Sequence, residues 1–109
     1  MKISKMTQLL GWEILAMPDP DIEVSGGYVG DLLSWVMGRA DAGNAWITIM
    51  TNRNIIAVAT LAGVSAIVIT EQAEIEQSVV ALAQEQGINL LRTDKPSFET
   101  ACAVGDLLK

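Results

Sequence analysis

Residues 45–69, with the sequence AWITIMTNRNIIAVATLAGVSAIVI, decide the fold of this chain. The run Ala45–Met50 is mostly apolar and rich in β-branched residues, and Ser65–Ile69 repeats that pattern after a helical segment, Arg53–Ala62. Strands that are apolar on both faces are typical of parallel sheets covered by helices. Gly63 lies directly after the helical segment, where a helix C-terminal glycine belongs. The stretch therefore predicts a strand–helix–strand unit with parallel strands.

The alternation of strands and helices continues toward the C-terminus. A helical pattern over Glu74–Gln86 has its acidic residues near the start, where the helix dipole favours them, and Gly87 follows it. Ile88–Leu91 is a third apolar run, and Phe98–Leu108 is the last helical pattern. Three consecutive strand-then-helix repeats of one orientation predict the α/β class. We expect a small three-layer domain with a mainly parallel sheet flanked by helices.

The N-terminal part is less regular. Its patterns indicate a short helix at Ser4–Leu10, a strand at Trp12–Ala16, a brief strand at Ile22–Val24 and a helix from Asp31 to about Arg39. Asp31 is the expected N-cap of that helix, because its carboxylate can accept hydrogen bonds from the free amides of the first turn. The helix is expected to bury one apolar stripe, formed by Leu32, Leu33, Val36 and Met37.

Gly26, Gly27 and Gly30 precede this helix in the segment SGGYVGDLL, residues 25–33. One interpretation is a backbone surface that binds an anion beside the helix N-terminus. The other is a tight turn with close packing, which adjacent glycines often mark, and it is the favoured one. The glycines form neither a P-loop, which ends in Lys-Ser/Thr, nor a dinucleotide fingerprint.

The composition of the 109 residues is that of one domain, residues 1–109, because half of them are hydrophobic and can form a core. The longest uninterrupted apolar run, Ile55–Ala59, is far shorter than the roughly 20 residues of a membrane span. The start of the chain has no signal-peptide core. The single cysteine, Cys102, lies on the expected buried stripe of the last helix, so we expect a core thiol in a reducing cytoplasm.

Charge and residue content narrow the range of functions. The net charge is −6 and the seven basic residues are scattered, so the chain has no basic footprint for nucleic acid. Histidine, the commonest general acid/base and metal ligand, does not occur. The acidic residues from Asp19 to Asp31 are spaced too irregularly for a calcium loop. We expect no catalytic residue, no metal and no cofactor.

The segment 55–62 is apolar almost all round, so a helix formed by it has no solvent face of its own. In a domain of this size the expected cover is a second subunit, and Trp35, which points away from the stripe of its own helix, is expected to join that contact. The sequence therefore predicts a homodimer. The alternative is that the N-terminal segment wraps over the helix.

Ligands of open α/β sheets bind beyond the carboxyl ends of the strands, and three predicted strands end there in a threonine followed by polar residues. For Thr70 and Thr93 we favour a helix-capping role. The segment Thr51–Asn54 places an arginine and two side-chain amides at the head of the apolar helix, so phosphate binding and capping are equally supported. The candidate ligand-binding residues are Gly26, Gly27, Asp31, Thr51, Asn52, Arg53 and Asn54.

The chain resembles the DRTGG domain family over nearly its whole length. The resemblance is carried by Asp21, the block from Gly26 to Met37, the strand Ala45–Thr51, and Asn54. Many members have an arginine after the aspartate, where this chain has Ile22. The resemblance implies a fold similar to the N-terminal domain of HPr kinase/phosphorylase and a dimeric regulatory role, as in the domains found beside CBS domains in regulated pyrophosphatases. The phosphate-binding catalytic half of such kinases has no counterpart here.

Together these observations predict a cytoplasmic, homodimeric, non-catalytic domain that senses a ligand, with an adenine nucleotide or a similar small anion as the expected ligand. The predicted site lies where Gly26 and Gly27 meet the segment 51–54. The alternative is an interaction adaptor that docks a partner enzyme through the apolar helix. A small enzyme that uses Asp31 or Glu71 is the least favoured hypothesis, because no nucleophile–base pair is recognisable.

Overall fold

The computed structural model describes residues 1–109 and contains five helices and five strands. No helix has both the length and the apolar character that crossing a membrane requires. In chain order the elements are α1 (Ile3–Leu10), β1 (Glu13–Ala16), β2 (Gly26–Val29), α2 (Leu33–Arg39), β3 (Asn44–Thr48), α3 (Asn54–Ala62), β4 (Ala66–Ile69), α4 (Gln77–Gln86), β5 (Leu90–Arg92) and α5 (Ser97–Leu107).

The five strands form one sheet in the order β1-β5-β4-β3-β2. The strands β2 to β5 are mutually parallel, and only β1 runs antiparallel, at the edge beside β5. The expected α/β class with a mainly parallel sheet is therefore confirmed. The three strand-then-helix repeats of the C-terminal half share one orientation, as their apolar strands predict.

A hydrophobic core lies on each face of the sheet, because successive side chains of a strand point to opposite faces. Trp46, Ile67 and Leu90 belong to the core beneath α2, α3 and α4. Their neighbours Ile47 and Leu91 belong to the second core, which α1 and α5 cover. The arrangement is helix layer, sheet, helix layer.

The apolar helix α3 has cover on both of its flanks within this arrangement. It lies between α2 and α4 and buries Ile55, Ile56, Val58 and Ala59. The residues Asn54, Ala57, Thr60 and Leu61 remain exposed, and Leu61 is 71 % exposed. Neighbouring helices therefore cover the flanks of α3, and cover of its exposed strip by a second subunit stays a prediction. The wrapping alternative is wrong, because α1 packs on the opposite face of the sheet.

The glycine segment is a strand and not the predicted turn. Gly26 and Gly27 belong to β2 and pair with Asn44 and Ala45 of β3. Neither has a positive φ. Gly26 serves close packing instead, since a Cβ there would lie 3.1 Å from the amide nitrogen of the buried Asn44 side chain. A Cβ on Gly27 would make ordinary contacts, the nearest at 3.6 Å. The strand predicted at Ile22–Val24 is reduced to a single bridge between Lys2 and Glu23.

Asp31 does not cap α2, which begins at Leu33 after Leu32 and has no side-chain cap. The predicted stripe of this helix is also only partly correct. Val36 is buried, whereas Leu32 and Met37 are 60 % and 46 % exposed. Trp35 lies on the outside, as expected, with the Arg39 guanidinium 3.9 Å from the centre of its ring.

The C-terminal helices differ from their predicted forms in two respects. The helix α4 begins at Gln77, three residues later than predicted, so Glu74 and Glu76 precede it and no acidic residue occupies its first turn. In α5 the buried residues are Thr100 and Val104. Cys102 is exposed, which corrects the expectation of a core thiol.

Candidate functional site

The chain segments that follow β3 and β4 form a pocket of about 590 Å³ at the carboxyl edge of the sheet. The strands are neighbours and parallel, so the two exits lie side by side, as the sequence predicts. The helices α2, α3 and α4 all lie on one face, so the pocket lies over helix N-termini rather than at a reversal of strand order. Its lining residues are Thr51, Asn52, Arg53, Glu74, Ile75, Glu76, Ser78 and Val79.

One wall of the pocket is the head of α3. The side-chain oxygen of Asn52 accepts a hydrogen bond from the Asn54 amide at 2.9 Å, so Asn52 fulfils the capping role that was one of its two interpretations. Arg53 is exposed, and its side chain forms neither an ion pair nor a hydrogen bond. The other two arginines are engaged, Arg39 over Trp35 and Arg92 with Glu13. Arg53 is therefore the arginine that is free to bind an anion.

The opposite wall is the head of α4. Its N-cap residue, Glu76, forms no capping hydrogen bond through its side chain. The first amides of any α-helix lack a carbonyl partner one turn earlier, and here those amides belong to Gln77 and Ser78. A nearby anion would be stabilised by these N–H groups and by the helix dipole. Both helix heads line one pocket, so their partial positive charges are directed at the same space.

The acidic residues of this wall oppose an anion. Glu74 and Glu76 line the pocket with Arg53, and their like charge limits how much negative charge the site can accept. Sequence reasoning missed these residues because it placed Glu74 inside a helix. Their position in the chain was the available signal, because residues that follow β4 lie beside those that follow β3 in a parallel sheet.

Asp31 positions one wall of the pocket without lining it. Its Oδ1 accepts hydrogen bonds from the Thr48 hydroxyl at 2.8 Å and from the Ile49 amide at 3.0 Å. The Thr48 hydroxyl oxygen in turn accepts a hydrogen bond from the Met50 amide at 3.1 Å. The carboxylate thus fixes the end of β3 and the start of the segment that leads to Arg53.

Gly26 and Gly27 are not part of this pocket. They pair with the first two residues of β3, at the amino end of the parallel strands, whereas Thr51–Asn54 follow the carboxyl end. The predicted junction of the two segments is therefore wrong. Both glycines instead line a separate groove of about 320 Å³ between β2 and α5. Asn54, the first residue of α3, is exposed but does not line the pocket.

Thr70 and Thr93 have structural roles, although not as caps of the helices that follow them. The Thr70 hydroxyl is 2.6 Å from the hydroxyl of Ser97, so it joins the end of β4 to the start of α5. The Thr93 hydroxyl oxygen accepts a hydrogen bond from the Lys95 amide at 3.3 Å, within the turn that follows β5. Neither side chain lines the pocket.

The connection from β4 to the pocket contains two strained residues. Glu71 and Gln72 have φ values of 62° and 52°, in the left-handed region that only glycine adopts without penalty. Their amides donate to Lys95 and Thr93 carbonyls, each at 3.0 Å, which holds the connection against the segment after β5.

Replacing Gln72 by glycine is expected to stabilise the protein by about 0.5–1 kcal/mol, because relief of left-handed strain exceeds the added chain entropy. The side chain is exposed, so little packing is lost. Urea unfolding at equal m-value measures the change. The matched control is Gln84→Gly, at an exposed position in the last turn of α4, which is expected to destabilise by about 0.5–1 kcal/mol. Equal destabilisation by both variants would contradict the assignment of strain.

An apolar groove of about 510 Å³ adjoins the pocket between α3 and α4. Ala57, Leu61 and Leu82 are among its lining residues, and Arg53 lines both the groove and the pocket. Arg53 therefore borders both a polar pocket and an apolar groove. A ligand that carries a negative charge next to a flat apolar group matches this combination.

Comparison with known proteins identifies related folds. The family model of the DRTGG domain matches residues 32–107, so Asp21 and both strand glycines lie outside the matched region. The chain is also similar to the CBS and DRTGG domains of the regulatory region of Clostridium perfringens pyrophosphatase, in a crystal structure complexed with the activator diadenosine tetraphosphate. The TM-score is 0.71 at 17 % identity, over 94 % of this chain and 45 % of that one. No curated protein gives a significant match.

The structural similarity extends beyond the segment that the family model covers. This chain spans less than half of the pyrophosphatase regulatory region, so the likeness concerns one part of that protein and shows its fold. The family model covers well over half of the present chain, from the N-cap of α2 to the last residue of α5. The protein therefore belongs to the DRTGG domain family.

Proposed function

We propose that this chain is a non-catalytic, ligand-sensing regulatory domain that binds an adenine nucleotide or a similar anion and acts as a homodimer. In this proposal all 109 residues form the sensing unit. The ligand-binding residues are Thr51, Asn52 and Arg53, which line the pocket, whereas Asn54 does not. Asp31 holds the first of these segments in place. Gly26 and Gly27 lie too far along the sheet to join them.

The observation that carries the proposal is the position of Arg53. Its guanidinium has no protein partner, and it lines a polar pocket and an apolar groove at once. An unpaired guanidinium presents a fork of donors that matches a phosphate. The uncapped amides at the head of α4 add donors on the wall opposite Arg53.

The apolar groove, rather than the charge around the pocket, favours a nucleotide over a small free anion. Glu74 and Glu76 offset the positive charge of Arg53, and the whole chain carries −6. Electrostatic attraction for orthophosphate alone is therefore weak. A nucleotide gains further affinity by burying its base against Leu61 and Leu82 in the groove.

The residues of the pocket support binding rather than catalysis. Its hydroxyl groups are those of Thr51 and Ser78. The Ser78 hydroxyl donates to the Glu76 carboxylate at 3.4 Å. A carboxylate that activates a nucleophilic hydroxyl forms a shorter hydrogen bond with it, so this pair does not resemble a nucleophile with its base. Asp31 does not line the pocket, and its Oδ1 accepts two hydrogen bonds that fix the end of β3, so it is not placed as a base there.

The similarity to the pyrophosphatase regulatory region supports the same interpretation. That region carries a DRTGG domain and was crystallised with diadenosine tetraphosphate as its activator. A regulatory role and an adenine-containing ligand are thus properties of a structure that shares this fold. We extend them to the present chain as a proposal that rests on the geometry around Arg53.

Titration calorimetry with ATP, AMP and diadenosine tetraphosphate tests the proposal, with orthophosphate as the control ligand. We expect saturable binding of at least one adenine compound, and orthophosphate binding that is at least about tenfold weaker. A ligand at 100 times its Kd adds about 2.7 kcal/mol to the free energy of unfolding, so the Tm should rise by roughly 10 °C. Absence of both heat and thermal shift with all three compounds would contradict the proposal.

An interaction adaptor is the second candidate function, and one observation favours it. Leu61 is 71 % exposed at the rim of the apolar groove, where an apolar side chain of a partner enzyme would fit. The shared Arg53 favours the nucleotide, because a purely apolar contact leaves the guanidinium without a role. If no nucleotide binds, the adaptor is the remaining candidate.

A further inference from the structure

The two edges of the sheet are protected to different degrees. At one edge, β1 carries the charged Glu13, its register shifts between Ile14 and Ala16, and Pro18 follows it closely. Charges, bulges and prolines are the features that keep edge strands from pairing with other chains. At the other edge, residues 24–30 have the sequence VSGGYVG, with no charge and no proline. The strand β2 pairs regularly with β3 and has no strand partner on its outer side. Just before it, the Val24 amide donates to the Met1 carbonyl, and exposed Glu23 and Asp31 flank the uncharged segment.

Exposed apolar side chains concentrate at this unprotected edge. On one face of the sheet α2 is the last helix of its layer beside β2, and on the other face α5 packs against β2. Six of the nine large exposed hydrophobic residues belong to β2, to α2 with its N-cap residue, to α5, or to the residue after β3. They are Val29, Leu32, Trp35, Met37, Ile49 and Phe98. Their side chains are 46 % to 78 % exposed, and exposed apolar side chains gathered around one edge are typical of an interface.

We propose that β2 pairs with β2 of a second copy of this chain, antiparallel about a twofold axis, so that two sheets join into one. Each chain carries a net charge of −6, so a second copy is repelled except where the surface is uncharged, and the edge of residues 24–30 meets that condition. A twofold axis brings the same patch of both chains together, which is the commonest arrangement of homodimers.

A second copy suits this edge better than an added peptide. The strand has four residues, so a single added strand gains a short ladder and covers little of Trp35 or Phe98. A second copy also contributes its own α2 and α5 flanks. Burial of both sets of side chains brings the contact area toward the value of a standard interface, in which each partner buries about 800 Å². Trp35 with Arg39 stacked on it combines two residue types that dominate interface energies.

This inference rests on the homodimer in the proposed function, and it is independent of the ligand. Sedimentation or light-scattering mass measures it on the whole chain, in reducing buffer because exposed Cys102 could otherwise link two chains. We expect twice the 11.7 kDa of one chain. Val29→Lys places a charge at the edge and is expected to raise the dimer Kd at least about tenfold. Ile14→Lys, at a comparably exposed position of the β1 edge, is expected to leave the dimer intact.

Each outcome decides a separate point. A wild-type chain of monomer mass at high concentration would overturn both the homodimer and its interface. A dimer that persists in Val29→Lys, or that Ile14→Lys dissociates, would leave the homodimer standing and overturn the β2 interface. Amide hydrogen exchange of the wild-type protein is an independent test, because it does not depend on whether a variant folds. Slower exchange of residues 24–30 at higher protein concentration supports the interface, and exchange independent of concentration overturns it.

Discussion

Replacement of Trp46 by alanine is expected to lower the free energy of unfolding by about 3–5 kcal/mol, because it truncates the largest fully buried side chain of the protein. Trp46 lies in β3, at the centre of the core beneath α2, α3 and α4. Its indole N–H also donates to the Gly30 carbonyl at 2.9 Å, which ties the end of β2 to the sheet. The substitution therefore leaves a cavity in that core and a part-buried carbonyl without its partner.

Two further variants separate these contributions in urea unfolding at one protein concentration. Trp46→Phe retains most of the apolar volume and removes the indole donor, so its expected loss is smaller, about 1–3 kcal/mol. Leu61→Ala is a large-to-small change at an exposed site, and its expected effect is within about 0.5 kcal/mol. A Trp46→Ala loss no greater than that of Leu61→Ala would contradict the central position of the indole in the core.

The strands and helices of the C-terminal half could be predicted because their apolar pattern reflects burial directly. Ile67 and Val68 are consecutive and both fully buried, each in a different core, which is what a run apolar on both faces indicates. Gly63 and Gly87 end their helices with φ values of 72° and 76°. These signals are local, so a single sequence is sufficient to recognise them.

The features that the sequence did not reveal depend on contacts between distant residues. The pair Gly26-Gly27 resembles a turn, and only the neighbouring Asn44 side chain gives a packing reason for a glycine in the strand, at position 26. Asp31 has the chemistry of a helix cap, but it binds Thr48 and Ile49 from another strand instead. A capping preference of about 1 kcal/mol is easily exceeded by two such hydrogen bonds to a carboxylate.

For the same reason, one wall of the candidate site could be predicted from the sequence and the other could not. Polar residues after β3 follow from the pattern of one strand, so Thr51–Arg53 were identified as one wall. The second wall depends on where α4 begins, and the late start of that helix leaves Glu74 and Glu76 in the connection that faces Arg53. The exposure of Cys102 escaped prediction likewise, because helical periodicity does not specify which of two adjacent stripes faces the sheet.

Replacement of Arg53 by glutamine is expected to weaken nucleotide binding by about 10–100-fold, which corresponds to about 1.5–3 kcal/mol for hydrogen bonds between a phosphate and a charged donor. Arg53 is exposed and has no protein partner, so the free energy of unfolding without ligand should change little. Calorimetry with the nucleotide that binds the wild type most tightly measures the loss, and urea unfolding of the free protein confirms the fold.

Two controls distinguish a specific phosphate contact from a general effect of charge. Lys95→Gln removes the same charge at the same edge of the sheet, but Lys95 lies outside the pocket and follows β5, so binding should weaken by less than about threefold. Glu76→Gln removes a repulsive carboxylate from the pocket and should strengthen binding severalfold, with a dependence on salt. Equal losses in Arg53→Gln and Lys95→Gln would mean that the ligand responds only to net charge. In that case the pocket between the heads of α3 and α4 is not where it binds.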